Sequence, residues 1–479
     1  MNRKTEKLYD GMTEVRDDLV EEAGKYRFRR TSRWPLRIAL TAACLALVLT
    51  VSALLPGGSP PVSPGLPVSP GLRAYALSLA EYPEMVPYPG EDANGTQINR
   101  WAKSLQAQSR DVDTAALQPY LQVVVPQLLS DSSTENALCS PLNIYMALGM
   151  LAELTEGESR TQILNLLGSD NMEALRQQAN DLWNDNYRDD GILQRVLGSS
   201  LWLNEDYTFH QDTLDTLAKI YYASSFRGRM GDPAFDTALQ TWLNEQTGGM
   251  LQEQVEGITL EPETVLALAT TVYFKAKWDG GFWEQKTAPG IFHSPSGNQE
   301  CPMMHRSDNT VYYWSDNFTA VRMGFESGGM WFFLPDEGFT PADLLADGAF
   351  LELVDDRSSW TDKRAMMVNM VVPRFDVSAQ LELQPALEAL GVTDVFSPYM
   401  ADFSPATDDT ELFVSSALHG VRVKIDEEGC EAAAYTMLAA PSSAPPPGEE
   451  VDFVLDRPFL FCVTGASELP LFVGVVNQP

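Results

Sequence analysis

Four histidines, five cysteines and 66 acidic side chains are the groups from which this chain could build a catalytic or metal site. The histidines (His210, His293, His305, His419) form no H-x-x-x-H pair and the cysteines (Cys44, Cys139, Cys301, Cys430, Cys462) no C-x-x-C, so zinc ligation and thiol redox chemistry lack their spacing. The cysteines are also too few and too scattered for a disulfide framework, and free buried thiols are expected. No G-x-S-x-G nucleophile elbow, Gly-rich phosphate loop or H-E-x-x-H helix occurs. A pair of carboxylates could serve as acid and base in glycoside hydrolysis, but at this density of acids such pairs arise by chance on solvated faces. The expectation is a protein with no catalytic residue, no metal and no cofactor.

The unusual chemistry lies in residues 426–450, DEEGCEAAAYTMLAAPSSAPPPGEE. Small side chains dominate it, a glycine at Gly429 supplies a hinge, and a Ser/Pro tract that no strand interior would accept follows. Two strong strand candidates flank it, so it reads as an exposed, mobile loop. A plain long loop would have the same composition.

The elements that would hold this loop are mixed. Residues 141–153 start with Pro and are apolar on several faces, as a buried helix would be, while 159–167 and 211–222 have the three- and four-residue spacing of amphipathic helices. Short β-rich runs recur at 197–203, 266–275, 368–375, 412–425, 458–464 and 469–476. The class is α+β, with helices early and strands mostly late. A hydrophobic content of 44% suffices for a large core.

Residues 38–55 (IALTAACLALVLTVSALL) carry no charge and approach the length of a membrane-spanning helix. Arg27, Arg29, Arg30, Arg33 and Arg37 precede them, which keeps the N-terminus inside and sends the remainder across. A cleaved signal peptide with Val51-Ser52-Ala53 as its cleavage site is the rival reading, and Cys44 after Ala42-Ala43 is a poor lipoprotein box. The expected organisation is a cytoplasmic tail over 1–34, a spanning helix over 35–56, a Pro/Ser/Gly-rich stalk and linker over 57–112, and a folded extracellular domain over 113–479. Residues 1–37 hold ten Lys and Arg against seven Asp and Glu, so 23 basic residues face 59 acidic ones in the rest, net −36. Such a body repels phosphate backbones, which excludes nucleic-acid binding.

Several blocks, in order, resemble the serpin family of serine protease inhibitors over roughly 113–479: ENALCSPLNIYMALGMLAELTEGESRTQILNLLG (135–168), LATTVYFKAKWDGGF (268–282), VPRFD (372–376), LGVTDVF (390–396), ADFS (401–404), LFVSSALHGVRVKIDEEG (412–429), DRPFLFCV (456–463) and LFVGVVNQP (471–479). The chain is identified as a membrane-anchored member of bacterial type. The resemblance implies three β-sheets, about nine helices and a reactive-centre loop that inserts into the central sheet after cleavage, trapping the protease as an acyl-enzyme. It assigns a hinge to Glu427, Gly429, Cys430, Glu431, Ala432, Ala433 and Ala434. A shutter and breach around the sheet fall on Ser140, Thr270, Trp278 and His419. Ser140 and His419 match a hydrogen-bonded pair, whereas Thr270 stands where the family has Asn and Cys430 where it has Thr or Ser. Tyr435 shares the face of Gly429, which strand alternation turns away from the core.

Counting from the hinge puts the reactive-site bond at Ser443–Ala444, with Met437 to Ser442 as alternatives. From Gly429 to Ser443 an extended chain covers about 46 Å, a molecular length. A small residue at the cut implies an extracellular elastase-like or subtilisin-like serine protease as partner, met by a monomer. Two other functions compete: a non-inhibitory serpin serving as a surface binding or scaffold module, and an unrelated hydrolase dependent on His419.

Overall fold

A computed structural model of the chain describes residues 69–479 apart from 91, 131–132, 250, 410–411 and 431–448. The expected tail and spanning segment therefore lie outside the described residues, and among those described no helix is long and apolar enough to cross a membrane. The described residues fall within one compact unit, Ser63–Pro479.

The run PLNIYMALGMLAEL forms a helix over Pro141–Leu154 in which every residue is buried, as its lack of a polar face requires. It packs against both large sheets. Gly149 lets it pass Tyr221, whose ring carbon would lie 2.6 Å from an added Cβ. Its one charge, Glu153, accepts two hydrogen bonds from Arg176, at 2.6 and 2.7 Å, and one from the Tyr221 hydroxyl at 3.2 Å. The pairing offsets the cost of burying a carboxylate.

The central sheet has eight strands: β1 (Ala76–Ser78), β2 (Arg188–Asp189), β3 (Gln194–Asn204), β4 (Ala223–Gly228), β5 (Leu266–Lys277), β6 (Phe375–Glu382), β7 (Val414–Ile425) and β8 (Gly429–Cys430). Their spatial order is β1-β4-β3-β5-β8-β7-β6, with β2 paired to β3. The β-rich run at 412–425 is realised as β7, where Val414, Ala417, Val421, Val423 and Ile425 face the core. Helix Pro233–Gln246 covers the opposite face of β3, β4 and β5 with a separate cluster that includes Phe235, Leu239, Trp242, Trp202 and Phe226.

The second sheet has nine strands, among them the wholly buried Gly329–Pro335, Phe459–Thr464 and Pro470–Val476. Three sheets are expected, but the described residues form two hydrogen-bonded ones. The reason is the 18-residue strand Gly297–Trp314, which forms a hairpin with Ala288–Ser294 near its start and pairs with Phe318–Gly324 at its end, joining what would otherwise be two sheets.

The linker expected to reach residue 112 also differs from the structure. From Ser69 onward the chain is folded onto the body, through a short helix at Pro70–Arg73, strand β1, and a helix over Gly95–Gln108. Leu72 is buried and Tyr75 and Tyr82 pack on the two hydrophobic clusters. The stretch is apolar enough to pack, but it follows directly on the Pro/Ser/Gly-rich run and shows no helical or strand period long enough to separate it from a linker.

Candidate functional site at the opening of the central sheet

Strands β5 and β7 run parallel and are direct partners from Val414↔Leu266 to Gly420↔Thr271. Beyond that point they diverge. At the upper end β8 stands between them, antiparallel to both, with Gly429 opposite Lys277 and Cys430 opposite Ala276 on one side and Ile425 on the other. The two strands are therefore neighbours at one end and two strand spacings apart, roughly 9.6 Å, at the other. Because β8 turns back directly from β7, it runs antiparallel to both walls of the seam.

The upper end is held by a turn at Asp426–Glu428. Asp426 Oδ1 accepts from the backbone N–H of Glu428 at 2.9 Å and of Gly429 at 3.3 Å, a side-chain-closed turn of the kind Asp favours. Trp278 caps it: its Nε1 donates to the Asp426 carbonyl at 3.0 Å, its backbone N–H donates to Glu428 at 3.1 Å, and its ring stacks on Phe325 at 4.7 Å. Gly429 has no room for a side chain, since an added Cβ would lie 2.1 Å from the Ala276 carbonyl oxygen. Cys430 is 2% exposed and faces the core.

Glu427 is tied down by the Arg374 guanidinium at 2.6 to 3.0 Å and by the Thr287 hydroxyl. Burial pushes its carboxyl upward, but these hydrogen bonds outweigh it and hold the group below the ordinary glutamate range. Arg374 is 40% exposed, so solvent screening discounts the pair. Glu427→Gln is expected to cost about 1–2 kcal/mol. The measurement is urea unfolding at pH 7, with faster amide exchange at Gly429 and Cys430 as the local sign; a midpoint within error of the parent would contradict it.

Lower down, where β5 and β7 are still paired, His419 lies opposite Thr270 and is fully buried. The Ser140 backbone N–H donates to His419 Nε2 at 3.0 Å, which fixes that nitrogen as the acceptor. Nδ1 therefore carries the proton and donates to Thr270 Oγ1 at 3.2 Å. Burial pulls the imidazole pKa down to about 3, so it is neutral at pH 7. Both nitrogens are used and no face is open to a substrate, which leaves the hydrolase alternative without its proposed group. The Ser140–His419 bond comes from the backbone; the Ser140 hydroxyl is buried with no hydrogen-bond partner among the described residues.

The structure thus gathers Glu427, Gly429, Cys430 and Trp278 at the open end and Ser140, Thr270 and His419 at the closed one. Glu431, Ala432, Ala433, Ala434, Ser443 and Ala444 lie outside the described residues. Sequence reasoning missed Arg374 and Thr287 as partners of the hinge; the VPRFD block contains the arginine, but nothing in its spacing names Glu427, 53 residues away, as its partner.

Against known families, residues 122–479 match the model described as "Serpin (serine protease inhibitor)". The chain is a serpin. Among its relatives, the plasma serine protease inhibitor of Mus musculus is 28% identical over 81% of this serpin and 97% of the relative. Alpha-1-antiproteinase 2 of Equus caballus is 30% identical over 73% and 82%. The native-state crystal structure of the thermophilic serpin tengpin superposes with a TM-score of 0.69 at 25% identity, over 78% of this serpin and 96% of tengpin.

Proposed function

We propose that this serpin is a single-use inhibitor of a serine endopeptidase, trapping it by inserting its cleaved loop between β5 and β7. The observation that carries the reading is the wedge: the seam is shut at Thr271↔Gly420 and one strand wider at Cys430, and Gly429–Cys430 already stand in the wider end, antiparallel to both walls. Insertion replaces one parallel ladder by two antiparallel ones, the more stable pairing per residue. Ala432 and Ala434 share the inward face of Cys430 by strand alternation and are small enough to pass packed neighbours.

The chemistry is the protease's own. Its serine oxygen attacks the carbonyl of Ser443, the Ser443–Ala444 amide breaks, the new amino terminus at Ala444 leaves with the proton, and an ester joins serpin to enzyme. Insertion then carries the ester away from the water that would hydrolyse it. The small residue at the cut fits an extracellular elastase-like or subtilisin-like enzyme with a shallow pocket. The charge-free run 38–55 behind its five arginines supports display of the monomeric inhibitor on the outer surface of a bacterial-type cell membrane.

Incubation with subtilisin or elastase is expected to give an SDS-stable complex whose mass is that of the protease plus the serpin lacking residues 444–479. Mass spectrometry of the released peptide identifies the bond. Complete cleavage without any adduct would exclude inhibition of these enzymes and favour the binding-module reading.

A further inference from the structure

Helix Pro233–Gln246 and the segment after it lie across the seam that insertion must open. The helix rests on Ala267 and Ala269 of β5, and Leu251, which follows it, reaches the backbone of Gly420 on β7, 3.4 Å from where a Cβ would stand. Those positions are where β5 and β7 are direct partners. A strand advancing past Thr271 cannot enter until this helix and its extension shift.

The residues from Ser69 to Ala80 pin that helix to the far edge of the sheet. Leu72, 1% exposed, is buried in the helix's own cluster, and the Tyr75 ring lies 5.1 Å from that of Phe235 on the helix. The Ser69 N–H donates to Glu245 near the end of the helix at 3.3 Å. The same few residues then join the sheet: Arg227 N–H donates to the Tyr75 carbonyl at 2.8 Å, Ala76 and Ser78 pair with Phe226 and Ser225 of β4, and Ala80 N–H donates to the Ser224 hydroxyl at 3.1 Å. Further on, Tyr82 stacks against Trp183 at 5.3 Å and Tyr187 at 5.6 Å, and Trp101 Nε1 donates to Asp190 at 2.9 Å, which fastens the segment behind the sheet.

We propose that residues Ser69–Ala80 are a strap that holds helix Pro233–Gln246 over the seam and sets the rate at which the loop can insert. The proposal rests on the inhibitory reading above. It assigns a role to a stretch that lies upstream of the matched family region, residues 122–479. The strap acts on the barrier: its contacts to the helix must loosen for the strand to pass, and they can re-form afterwards.

The test uses the full chain carrying Leu72→Ala/Tyr75→Ala, with Tyr75→Ala alone as the milder variant should the pair fail to fold. Leu345→Ala, a truncation of similar burial in the helix Pro341–Asp347, is the control. Each protein is nicked rapidly in the loop with thermolysin, a metalloprotease that forms no acyl-enzyme and so cannot be trapped, and the appearance of the heat-resistant form is timed. The double variant is expected to convert about tenfold faster than the parent and the single variant severalfold faster, with the control at the parental rate. Equal rates in strap variants and parent, with stability gained in all, would overturn the strap alone. An equal acceleration by Leu345→Ala would reduce it to general destabilisation and overturn it too. No gain in any nicked protein would overturn both this proposal and the inhibitory reading.

Discussion

Nicking the loop within residues 431–448 is expected to raise the melting temperature of the otherwise intact protein by at least about 10 °C. In a domain of this size an unfolding entropy of roughly 2.1 cal/mol/K per residue makes one degree worth about 0.8 kcal/mol, so 10 °C corresponds to about 8 kcal/mol. That is the size of about eight net hydrogen bonds. The seam can supply them: β5 offers a wall from Leu266 to Ala276 and β7 a facing wall from Val414 to Ile425, and a new central strand bonds to both. Calorimetry of cut and uncut protein measures the shift. Ala432→Arg provides the internal check, because alternation from the buried Cys430 places position 432 on the core side, where an unpaired guanidinium is costly. The nicked variant should melt within a few degrees of its uncut form and yield no SDS-stable complex. A large gain in the variant, or none in the parent, would contradict the insertion mechanism.

The second large effect is acid sensitivity centred on His419. Its folded-state pKa of about 3 lies below the ordinary histidine value, so between pH 6.5 and 3 the unfolded chain binds a proton that the native protein refuses. Stability contributed by the neutral ring is fully present above pH 6.5 and is lost as pH falls, at up to about 1.4 kcal/mol per pH unit and on the order of 2 kcal/mol by pH 5. The structural reason is the Ser140 N–H, which needs a lone pair on Nε2; a protonated ring would set two donors against each other. Glu427 loses stability in the same direction, since its depressed carboxyl favours the native state above the ordinary glutamate range, but its window lies lower. Urea unfolding at pH 7, 6 and 5 therefore reports the imidazole. His419→Gln should be less stable than the parent at pH 7 and should show a shallower decline to pH 5. An equal slope in both proteins would assign the acid sensitivity elsewhere.

Much of this arrangement is legible along the chain, for reasons that are local. Apolar residues on several faces identify the helix realised as Pro141–Leu154, and a β-rich run identifies β7, because burial and backbone shape select the side chains each element carries. Gly429 is legible as a hinge and the alanines after it as residues that could enter a packed sheet. The ordered blocks, each unremarkable alone, identify the family because several of them hold the walls of one seam.

Local composition and spacing therefore yield the kind of each element and the existence of a small-residue loop between two strands. Which groups meet across the fold was decided by tertiary structure alone. Arg374 pairs with Glu427 only because β6 and β7 lie antiparallel and bring their ends together. Ser140 reaches His419 through its amide because helix Pro141–Leu154 starts under the sheet, and Ser69–Ala80 becomes a strap because β4 presents a free edge beside helix Pro233–Gln246. Periodicity records how a segment faces its surroundings; it carries no address for the distant residue it will touch, and that address is set only when packing fixes register and orientation together.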